Sequence, residues 1–253
     1  MMPYRILYLD SVDSTNAHLL EKPEKERVGL VVCAREQTAG KGMASNVWES
    51  KPGENLTFSM GADLSFMKAA DQFLLSQAVP LGILDVLDAI IVGQTHGSAP
   101  TGMLTVKWPN DLLFENRKLC GILINSTIHG VDMGVSVIGI GLNVNQMQFK
   151  DWPTHPISMK MILGEEVELE PLLHQLVASV DQRIQLLRTA EGVAKIKEDY
   201  LSRLYRYHQW GLFETDEGTV KRYVDGIDEF GRLKVVNEDG KSRVYDVKEI
   251  KFL

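Results

Sequence analysis

The sequence predicts an α+β fold, in which a mixed or antiparallel β-sheet packs against helices and a small β-barrel follows at the C-terminus. Short apolar runs alternate with turns over residues 103–124, a spacing typical of paired strands. Residues 69–92 carry apolar side chains three and four positions apart, which predicts a long buried helix. Short alternating strands separated by glycines predict the barrel. We therefore expect two domains, at residues 1–208 and 209–253.

Composition narrows the class of protein. The 253-residue chain is long enough for a sizeable core, and its 44% hydrophobic and 24% charged content is ordinary for a globular protein. Its net charge of −7 argues against sequence-independent binding of nucleic acids, which depends on clustered Lys and Arg. We expect no signal peptide and no apolar stretch long enough to span a membrane. Cys33 and Cys120 lie in apolar runs, which predicts buried reduced thiols in a cytoplasmic protein.

The first elements surround a polar corner. A polar heptapeptide, DSVDSTN, links a strand predicted at residues 4–9 to a helix predicted at residues 17–22. Ser14 and Thr15 suit the N-terminus of that helix, since their hydroxyls accept hydrogen bonds from backbone N–H groups. The same hydroxyls, together with the amide of Asn16, also offer donors and acceptors for a small polar ring. The residues by themselves leave both interpretations open.

A second predicted strand, at residues 29–34, leads into a long polar loop at residues 35–50. In this loop Gly40 and Gly42 flank Lys41. Glycines around a cation suit a flap whose amides and ammonium group close on phosphate. The same tripeptide also occurs in many ordinary surface turns, so the loop alone is a weak indication.

Three segments follow to which we assign no functional residue. Residues 54–64 alternate polar and apolar side chains, which predicts an amphipathic strand. The helix predicted at residues 69–92 contains Pro80, which weakens a helix without excluding it. Residues 91–102 are polar and predict a solvated connection.

The segment most suited to chemistry is KWPNDLLFENRKLCGILI, residues 107–124. A buried strand is predicted at residues 103–108, and Pro109 ends it because proline donates no hydrogen bond to a sheet. Asn110 and Asp111 should therefore point away from the sheet edge.

A β-hairpin follows, with strands at residues 112–114 and 119–124 joined by a polar turn at residues 115–117. Lys118 is the last polar residue before the second strand becomes apolar. Such a lysine is either solvated at the surface or directed at an anionic ligand. Taken alone, the position of Lys118 favours a solvated surface lysine, because most lysines are solvated.

The strand predicted at residues 136–145, SVIGIGLNVN, ends in a glycine-spaced turn. It lacks the third glycine and the following helix of a dinucleotide-binding fingerprint, so no Rossmann fold is predicted. Phe149 and Trp152 follow in a loop and are candidates for stacking on adenine, although loop aromatics more often only anchor a loop. Leucine spacing predicts two core helices, at residues 168–189 and 193–207.

Four stretches, taken in chain order, resemble the biotin protein ligase family. They are DSTN, EQTAGKG with a later tryptophan, KWPND followed by RKLCGILIN, and GIGLNVN. Together they span roughly residues 13–145. The resemblance implies the biotin and lipoate ligase catalytic fold, and it also implies a small C-terminal barrel.

The resemblance implies a role for each matched residue. Lys118 would be the catalytic residue, a cation that bridges the biotin carboxylate and the phosphate. The implied biotin-binding residues are Ser14, Thr15, Asn16, Gln37, Lys41, Gly42, Met43, Lys118 and Gly121. The implied nucleotide-binding residues are Lys41, Trp48, Asn110, Asp111 and Asn143.

The glycine-rich loop departs from the pattern of relatives, many of which repeat glycine and arginine here. Lys41 takes the place of the first arginine, Met43 takes the place of the second, and Ser45 stands where glycine is common. A methionine cannot hold a phosphate. We therefore expect Lys41 and backbone amides to retain the activated intermediate.

The resemblance also implies an activity. We expect biotin to be activated with ATP and Mg²⁺ as biotinyl-AMP, with release of pyrophosphate. The biotin would then pass to a lysine on the biotin carboxyl carrier domain of a biotin-dependent carboxylase. No fixed protein site for a metal is expected, and Mg²⁺ would arrive with ATP and lie near Asn143 and Asp111.

The resemblance sets expectations about partners as well. Some relatives carry an N-terminal helix-turn-helix module, whereas this sequence begins at the catalytic domain, so we expect no repressor activity. Neither nucleic acid nor membrane is an expected partner. Monomer and homodimer both remain open.

Two other functions fit parts of the sequence. Lipoate or octanoate protein ligases and transferases share the fold, and a thiol-dependent octanoyl transferase would use a cysteine such as Cys120. Relatives carry a small apolar residue at this position, which favours a packed core thiol. A non-catalytic biotin-binding sensor is the second alternative, although the intact Lys118 and KWPND argue against it.

Overall fold

The computed structural model describes residues 4–43, 47–94, 104–150 and 155–253. Three residues singled out from the sequence lie outside the described residues, namely Ser45, Met103 and Trp152. Most of the polar connection predicted at residues 91–102 also lies outside them. Within the described part of the chain, the elements form two β-sheets and six α-helices.

The first sheet has seven strands among the described residues. They are β1 (Arg5–Val12), β2 (Leu30–Gln37), β3 (Leu56–Asp63), β4 (Leu104–Lys107), β5 (Asp111–Phe114), β6 (Arg117–His129) and β7 (Asp132–Leu142). Their order across the sheet is β1-β2-β3-β7-β6-β5-β4. The first two strands run parallel and the other neighbours are antiparallel. The predicted mixed sheet is therefore confirmed.

Helices cover this sheet. They are α1 (Thr15–Leu20), α2 (Glu24–Arg27), α3 (Phe73–Gln94), α4 (Met159–Leu163), α5 (Leu169–Leu186) and α6 (Ala190–Arg203). The longest, α3, contains Pro80 and packs against α5 and α6. A Cβ atom on Gly82 would lie 2.6 Å from the Cα atom of Val180, so glycine lets α3 and α5 approach closely.

The expectation that no apolar stretch reaches membrane-spanning length is wrong for α3. Residues Phe73–Ile91 are long and apolar enough, by length and composition, to cross a membrane. In this structure most of that segment is buried inside the protein, as is usual for a helix that is apolar on nearly all sides. The carboxylates of Asp85 and Asp88 pair with Arg183 and Arg203 on neighbouring helices. We therefore describe α3 as the central core helix.

A second, antiparallel sheet follows at the C-terminus. Its strands are β8 (Trp210–Thr215), β9 (Gly218–Ile227), β10 (Leu233–Val236), β11 (Ser242–Tyr245) and β12 (Ile250–Phe252), in the order β11-β10-β9-β8-β12. Phe213, Val224 and Phe252 belong to the same hydrophobic cluster as the buried residues of α3. The two sheets therefore share one core, while the domain boundary near residue 209 stays a prediction.

The strand predicted at residues 54–64 differs from the expectation in its burial. β3 is buried along its whole length except at Asp63, because α1 and α5 both contact it. Its polar side chains are satisfied inside the protein: Thr57 donates to the carbonyl oxygen of Ala34, and the hydroxyl of Ser59 lies 2.9 Å from that of Thr15. The alternating pattern predicted that one face of this strand would be solvated. In the structure the polar side chains of that face are buried beneath α1.

The central hairpin follows the prediction closely. Glu115 and Asn116 connect β5 to β6, and both have positive φ angles, of 46° and 67°. Positive φ at both positions is the geometry of a tight two-residue hairpin turn. The peptide between Trp108 and Pro109 is cis, and β4 ends at Lys107. The short helices α2 and α4 were not predicted, because four or five residues carry too little periodicity to be recognised.

Candidate active site

A cavity of about 380 Å³ lies between the first sheet and the C-terminal sheet. It is lined from the start of α1, the end of β2 and the following loop, the turn before β5, and strands β3, β6, β7 and β12. Twelve of the thirteen residues predicted from the sequence line it, namely Ser14, Thr15, Asn16, Gln37, Lys41, Gly42, Met43, Trp48, Asn110, Asp111, Lys118 and Gly121. Asn143 is the exception.

One end of the cavity is a network of neutral hydrogen bonds. The side-chain oxygen of Gln37 accepts from the backbone N–H of Thr15 at 2.8 Å and from its hydroxyl at 3.1 Å. The Thr15 hydroxyl also meets the hydroxyl of Ser59. Ser14 caps α1 by accepting from the N–H of Ala17, so the capping interpretation is correct for this residue. Ser14, Thr15 and Ser59 are buried, which fixes their orientation.

Two amides brace the same region. The side chain of Asn16 donates to the carbonyl oxygen of Leu123, which ties α1 to β6. Asn110 donates to the carbonyl oxygen of Ile122 at 2.6 Å and accepts from its N–H through the main chain. The turn after Trp108 is therefore held against β6 through both the side chain and the backbone of Asn110.

The cavity lining includes an ion pair. The ammonium group of Lys118 lies 2.7 Å from the Oδ1 atom of Asp111, and the two side chains are only 23% and 19% exposed. Partial burial makes this attraction stronger than that of a surface pair, since water and salt screen it less. The predicted cation is thus fixed, with a carboxylate as its partner.

Trp48 forms one wall beside Lys118. Its ring lies over Gly121 and Gly141, which face each other across β6 and β7. A Cβ on Gly121 would lie 3.1 Å from the ring, and a Cβ on Gly141 would overlap it, so both positions require glycine for this wall. The Lys118 ammonium lies 5.7 Å from the ring centroid, within range of a cation–π interaction.

Asn143 does not line the cavity. It is buried, and its amide nitrogen donates to the carbonyl oxygens of Lys118 and Ile157. Its backbone N–H donates to Leu119. The position predicted to face the nucleotide therefore contacts the main chain at Lys118 instead.

The sequence interpretation missed the contribution of the C-terminal sheet. Lys248 and Lys251 line the cavity, together with Lys107 from β4. Desolvation lowers the pKa of Lys107, Asp111 partly offsets this effect, and the nearby cations, including Lys118, add to it. Lys107 lies in the KWPND stretch, whereas no pattern in β12 or in the residues before it indicated that Lys248 and Lys251 reach this cavity.

Neither cysteine takes part in the cavity lining. Both are free and buried. Burial raises the pKa of the Cys33 thiol to about 11 and raises that of Cys120 further. A thiol held in its protonated form is a poor nucleophile. No cluster of three or more His, Cys, Asp or Glu side chains suited to a metal occurs in the described ranges.

The geometry therefore joins two kinds of chemistry in one cavity. The neutral end offers fixed donors and acceptors to an uncharged polar ring. The rest of the described lining contains a single carboxylate, Asp111, and five lysines, Lys41, Lys107, Lys118, Lys248 and Lys251. We refer to this part as the charged end. Such an excess of positive charge suits a polyanionic reactant.

Comparison with known proteins finds relatives over most of the chain. A sequence profile of the biotin/lipoate A/B protein ligase family matches residues 8–143. The bifunctional ligase/repressor BirA of Bacillus spizizenii is 28% identical over 258 residues, covering 97% of this chain and 73% of that protein. The biotin–[acetyl-CoA-carboxylase] ligase of Paracoccus denitrificans is 29% identical over 231 residues, covering 89% of this chain and 91% of that protein.

Solved structures show the same fold. A biotin protein ligase from Aquifex aeolicus, in complex with biotin and ATP, superposes with a TM-score of 0.78 at 20% identity. The similarity covers 98% of both chains, so it includes the C-terminal sheet as well as the first sheet.

Proposed function

Because the chain belongs to the biotin/lipoate A/B protein ligase family, we propose that it is an ATP-dependent biotin protein ligase. It joins biotin to AMP with release of pyrophosphate and then transfers the biotin to a lysine of a carrier protein. The observation that carries this function is one cavity with a neutral hydrogen-bonding end and a lysine-rich end. The Paracoccus denitrificans relative, which is named as a biotin–[acetyl-CoA-carboxylase] ligase and matches 89% of this chain, supports it.

Lys118 carries the first step. A carboxylate oxygen of biotin attacks the α-phosphorus of ATP, and the bond to the bridging oxygen of pyrophosphate breaks. Negative charge from both reactants gathers at one place, and a fixed cation stabilises that arrangement. Asp111 orients the ammonium group of Lys118 through their ion pair. Asn143 contributes by holding the main chain at Lys118.

The two ends of the cavity bind the two substrates. We assign the biotin ring to Ser14, Thr15, Asn16 and Gln37, with Gly121 giving room beside Trp48. The activated intermediate lies under Lys41, Gly42 and Met43. The nucleotide lies toward Trp48, Asn110 and Asp111. An uncharged ring matches the neutral network, and the phosphates match the lysines.

Mg²⁺ fits this assignment as a partner of ATP. Magnesium usually binds one or two carboxylates together with substrate phosphates, and it keeps several waters. Asp111 offers the carboxylate, and Asn110 offers an amide oxygen beside it. When bound, the metal shares the negative charge of the departing pyrophosphate.

The second step needs a nucleophile from another protein. The amine of a carrier lysine attacks the carbonyl carbon of biotinyl-AMP, an amide bond forms, and AMP leaves with the electron pair. We infer that the carrier is the biotin carboxyl carrier domain of a carboxylase, which the name of the Paracoccus denitrificans relative supports. The free, buried cysteines are compatible with a reducing cytoplasm.

A lipoate or octanoate enzyme is the alternative on this fold, since the family name includes lipoate ligases. A thiol-dependent transferase requires a reactive cysteine. The Cys120 thiol is buried with a raised pKa, which disfavours that mechanism. A biotin sensor without catalysis is disfavoured by the shielded Lys118–Asp111 pair.

The test is incubation with labelled biotin, ATP, Mg²⁺ and a carrier domain, with lipoate in a parallel reaction. We expect pyrophosphate release that depends on biotin, and label transferred to the carrier. Label transfer from lipoate but not from biotin would show that the substrate is lipoate and would contradict the proposed use of biotin. Binding of biotin without pyrophosphate release would identify a sensor.

A further inference from the structure

A second cavity, of about 230 Å³, lies where α3, α6 and the turn after β9 meet. Its described lining shares no residue with that of the candidate active site, so the two cavities are separate. Four of its lining residues are apolar and partly buried, namely Phe73, Leu74, Leu201 and Ile227. Its volume is below that of most drug-sized sites, so it suits a compact ligand with an apolar part.

One polar side chain in this lining is buried without a partner. Gln77, on α3, is only 6% exposed, and its amide forms no hydrogen bond with any residue that the structure describes. The buried amides of Asn16, Asn55 and Asn143 are all hydrogen-bonded. An unpaired amide in a buried position costs free energy, so native proteins rarely keep one without a reason. Because Gln77 lines the second cavity, a ligand there can supply the missing hydrogen bond.

Charged side chains of both signs border the same cavity without pairing. Asp71 precedes α3, Lys197 lies on α6, and Glu229 lies in the turn after β9. None of the three forms an ion pair within the described part of the chain. The remaining charged lining residue, Asp228, is already paired with Arg232 at 2.7 Å. Two available carboxylates and one available ammonium group match a ligand that itself carries both an ammonium and a carboxylate group.

The ring of Phe73 connects the second cavity to the candidate active site. Phe73 lines the second cavity and packs on Gly231, where a Cβ atom would lie 2.3 Å from the ring. The carbonyl oxygen of Gly231 accepts a buried hydrogen bond of 2.9 Å from the indole N–H of Trp108. Trp108 in turn lines the candidate active site. An occupant that fixes the Phe73 ring therefore also favours the contact between Gly231 and Trp108.

We propose that the second cavity binds a small apolar α-amino acid. The ammonium group of the amino acid pairs with Asp71 and Glu229, and its carboxylate pairs with Lys197. The amide of Gln77 donates to the same carboxylate, and the apolar side chain packs on the apolar lining residues. Occupancy also stabilises the buried hydrogen bond that joins the two sheets. This site does not depend on the proposed function, because its occupant is neither biotin nor ATP.

The first experiment measures binding of L-leucine to the full chain by isothermal titration calorimetry. We expect one site with a Kd on the order of 0.1–1 mM, because partly solvated charges contribute modest attraction. Two probes each lack one charge: 3-methylbutylamine has no carboxylate, and 4-methylpentanoate has no ammonium group. Each should bind about fivefold more weakly than L-leucine.

Two results of this titration would overturn the amino-acid site. One is an absence of L-leucine binding up to about 10 mM. The other is binding of 3-methylbutylamine as tight as that of L-leucine, which would indicate a site for cations in general.

The second experiment locates the site with two pairs of variants. Lys197→Met should weaken L-leucine binding about fivefold and leave 3-methylbutylamine binding unaltered, because only a carboxylate loses its partner. Its control is Lys195→Met, two positions earlier on α6 and outside the described lining. Gln77→Met, which keeps the length of the side chain and removes its amide, should also weaken L-leucine binding. Its control is Gln72→Met, at an exposed position outside that lining. Unaltered L-leucine affinity in either Lys197→Met or Gln77→Met would place the amino acid elsewhere.

The third experiment tests the connection to the candidate active site. Trp108→Phe removes the indole N–H and leaves the described lining of the second cavity intact. If occupancy and the Trp108–Gly231 hydrogen bond stabilise each other, this variant should bind L-leucine about fivefold more weakly. The control is Trp210→Phe, at an exposed tryptophan of the C-terminal sheet. Equal affinity in the two variants would refute the connection. These titrations contain no biotin or ATP, so their failure is distinct from failure of the proposed function.

Discussion

The two ends of the cavity differ in whether their polar groups already have partners before a substrate binds. At the neutral end Thr15, Gln37 and Ser59 are bonded to one another before any ligand arrives. At the charged end, lysines such as Lys107 and Lys248 have no described ion-pair partner. The neutral end is therefore preorganised by its own hydrogen bonds, whereas the charged end depends on its substrate to offset repulsion.

The difference follows from the cost of burying polar groups. An unpaired hydroxyl or amide in a buried site costs free energy, so hydrogen-bonding groups that bind an uncharged ring are best held in a complete network. A charged group can remain near water until its partner binds, because partial exposure keeps it solvated. The comparison predicts that substitutions at one end should leave the other substrate's binding nearly unaltered.

The largest expected effect is at the junction of the two ends. Lys118→Ala should slow pyrophosphate release roughly a hundredfold to a thousandfold, because it removes the charge that stabilises the transition state. The matched control is Lys68→Ala, which breaks an exposed lysine–aspartate pair with Asp132. Similar rates for the two variants would contradict the assignment of Lys118.

Gln37→Ala tests the neutral end. It should raise the KM for biotin roughly tenfold to a hundredfold, because the N–H and hydroxyl of Thr15 lose their acceptor. The KM for ATP should stay near the wild-type value. The control is Thr38→Ala, which removes a hydroxyl that bonds to Asp13 at an exposed position. An equal rise in the KM values for biotin and for ATP would contradict the assignment of the two substrates to separate ends of the cavity.

Lys41 tests retention of the intermediate at the charged end. Because Lys41 is exposed, Lys41→Ala should speed release of biotinyl-AMP by up to about fivefold. Met43→Arg, which adds a second cation to the loop, should slow it. Stopped-flow release of the labelled adenylate measures both. Unchanged release in both variants would assign retention to other groups.

Lys107→Met should stabilise the fold while weakening ATP use. Desolvation lowers the pKa of Lys107, so the folded protein binds this proton less tightly than the unfolded chain does. Wild-type stability should therefore rise as the pH passes from the lowered pKa toward the ordinary lysine value. The advantage of Lys107→Met should be largest below the lowered pKa and should shrink as the pH rises toward the ordinary lysine value. Urea unfolding at several pH values measures this, and a constant difference would contradict it.

The smallest effect on activity is expected for Cys120→Ala. The thiol is buried and protonated, so adenylation and transfer should continue at the wild-type rate, with a loss of about 1 kcal/mol in stability. Cys33→Ala, on β2 of the same sheet, is the matched control. Loss of transfer with adenylation intact would favour the thiol-dependent alternative instead.

Local patterns predicted much of the fold. The hairpin between β5 and β6 followed from a polar turn between apolar runs, and α3 followed from its periodicity. The burial of β3 did not, because an alternating pattern records which side chains are polar and cannot record which surface covers them. The helix α3 itself was predicted, and only the expectation that no apolar stretch reaches membrane-spanning length was wrong for it.

The sequence by itself determined the reactive set around the signature. It placed Asn110, Asp111 and Lys118 within nine residues, on a turn and a hairpin whose geometry is local. Lys118 and Asp111 meet because antiparallel pairing brings neighbouring strands together.

Only the tertiary structure decided what completes the cavity. Ser59 comes from a strand that looked amphipathic, and Lys248 and Lys251 come from a sheet joined to the first by Trp108 and Gly231, which are 123 residues apart. Such contacts depend on how whole elements pack, so no local spacing of residues encodes them. Asn143 lies behind Lys118 for the same reason: it follows directly after β7, and the packing of β6 and β7 decides that it contacts the main chain at Lys118.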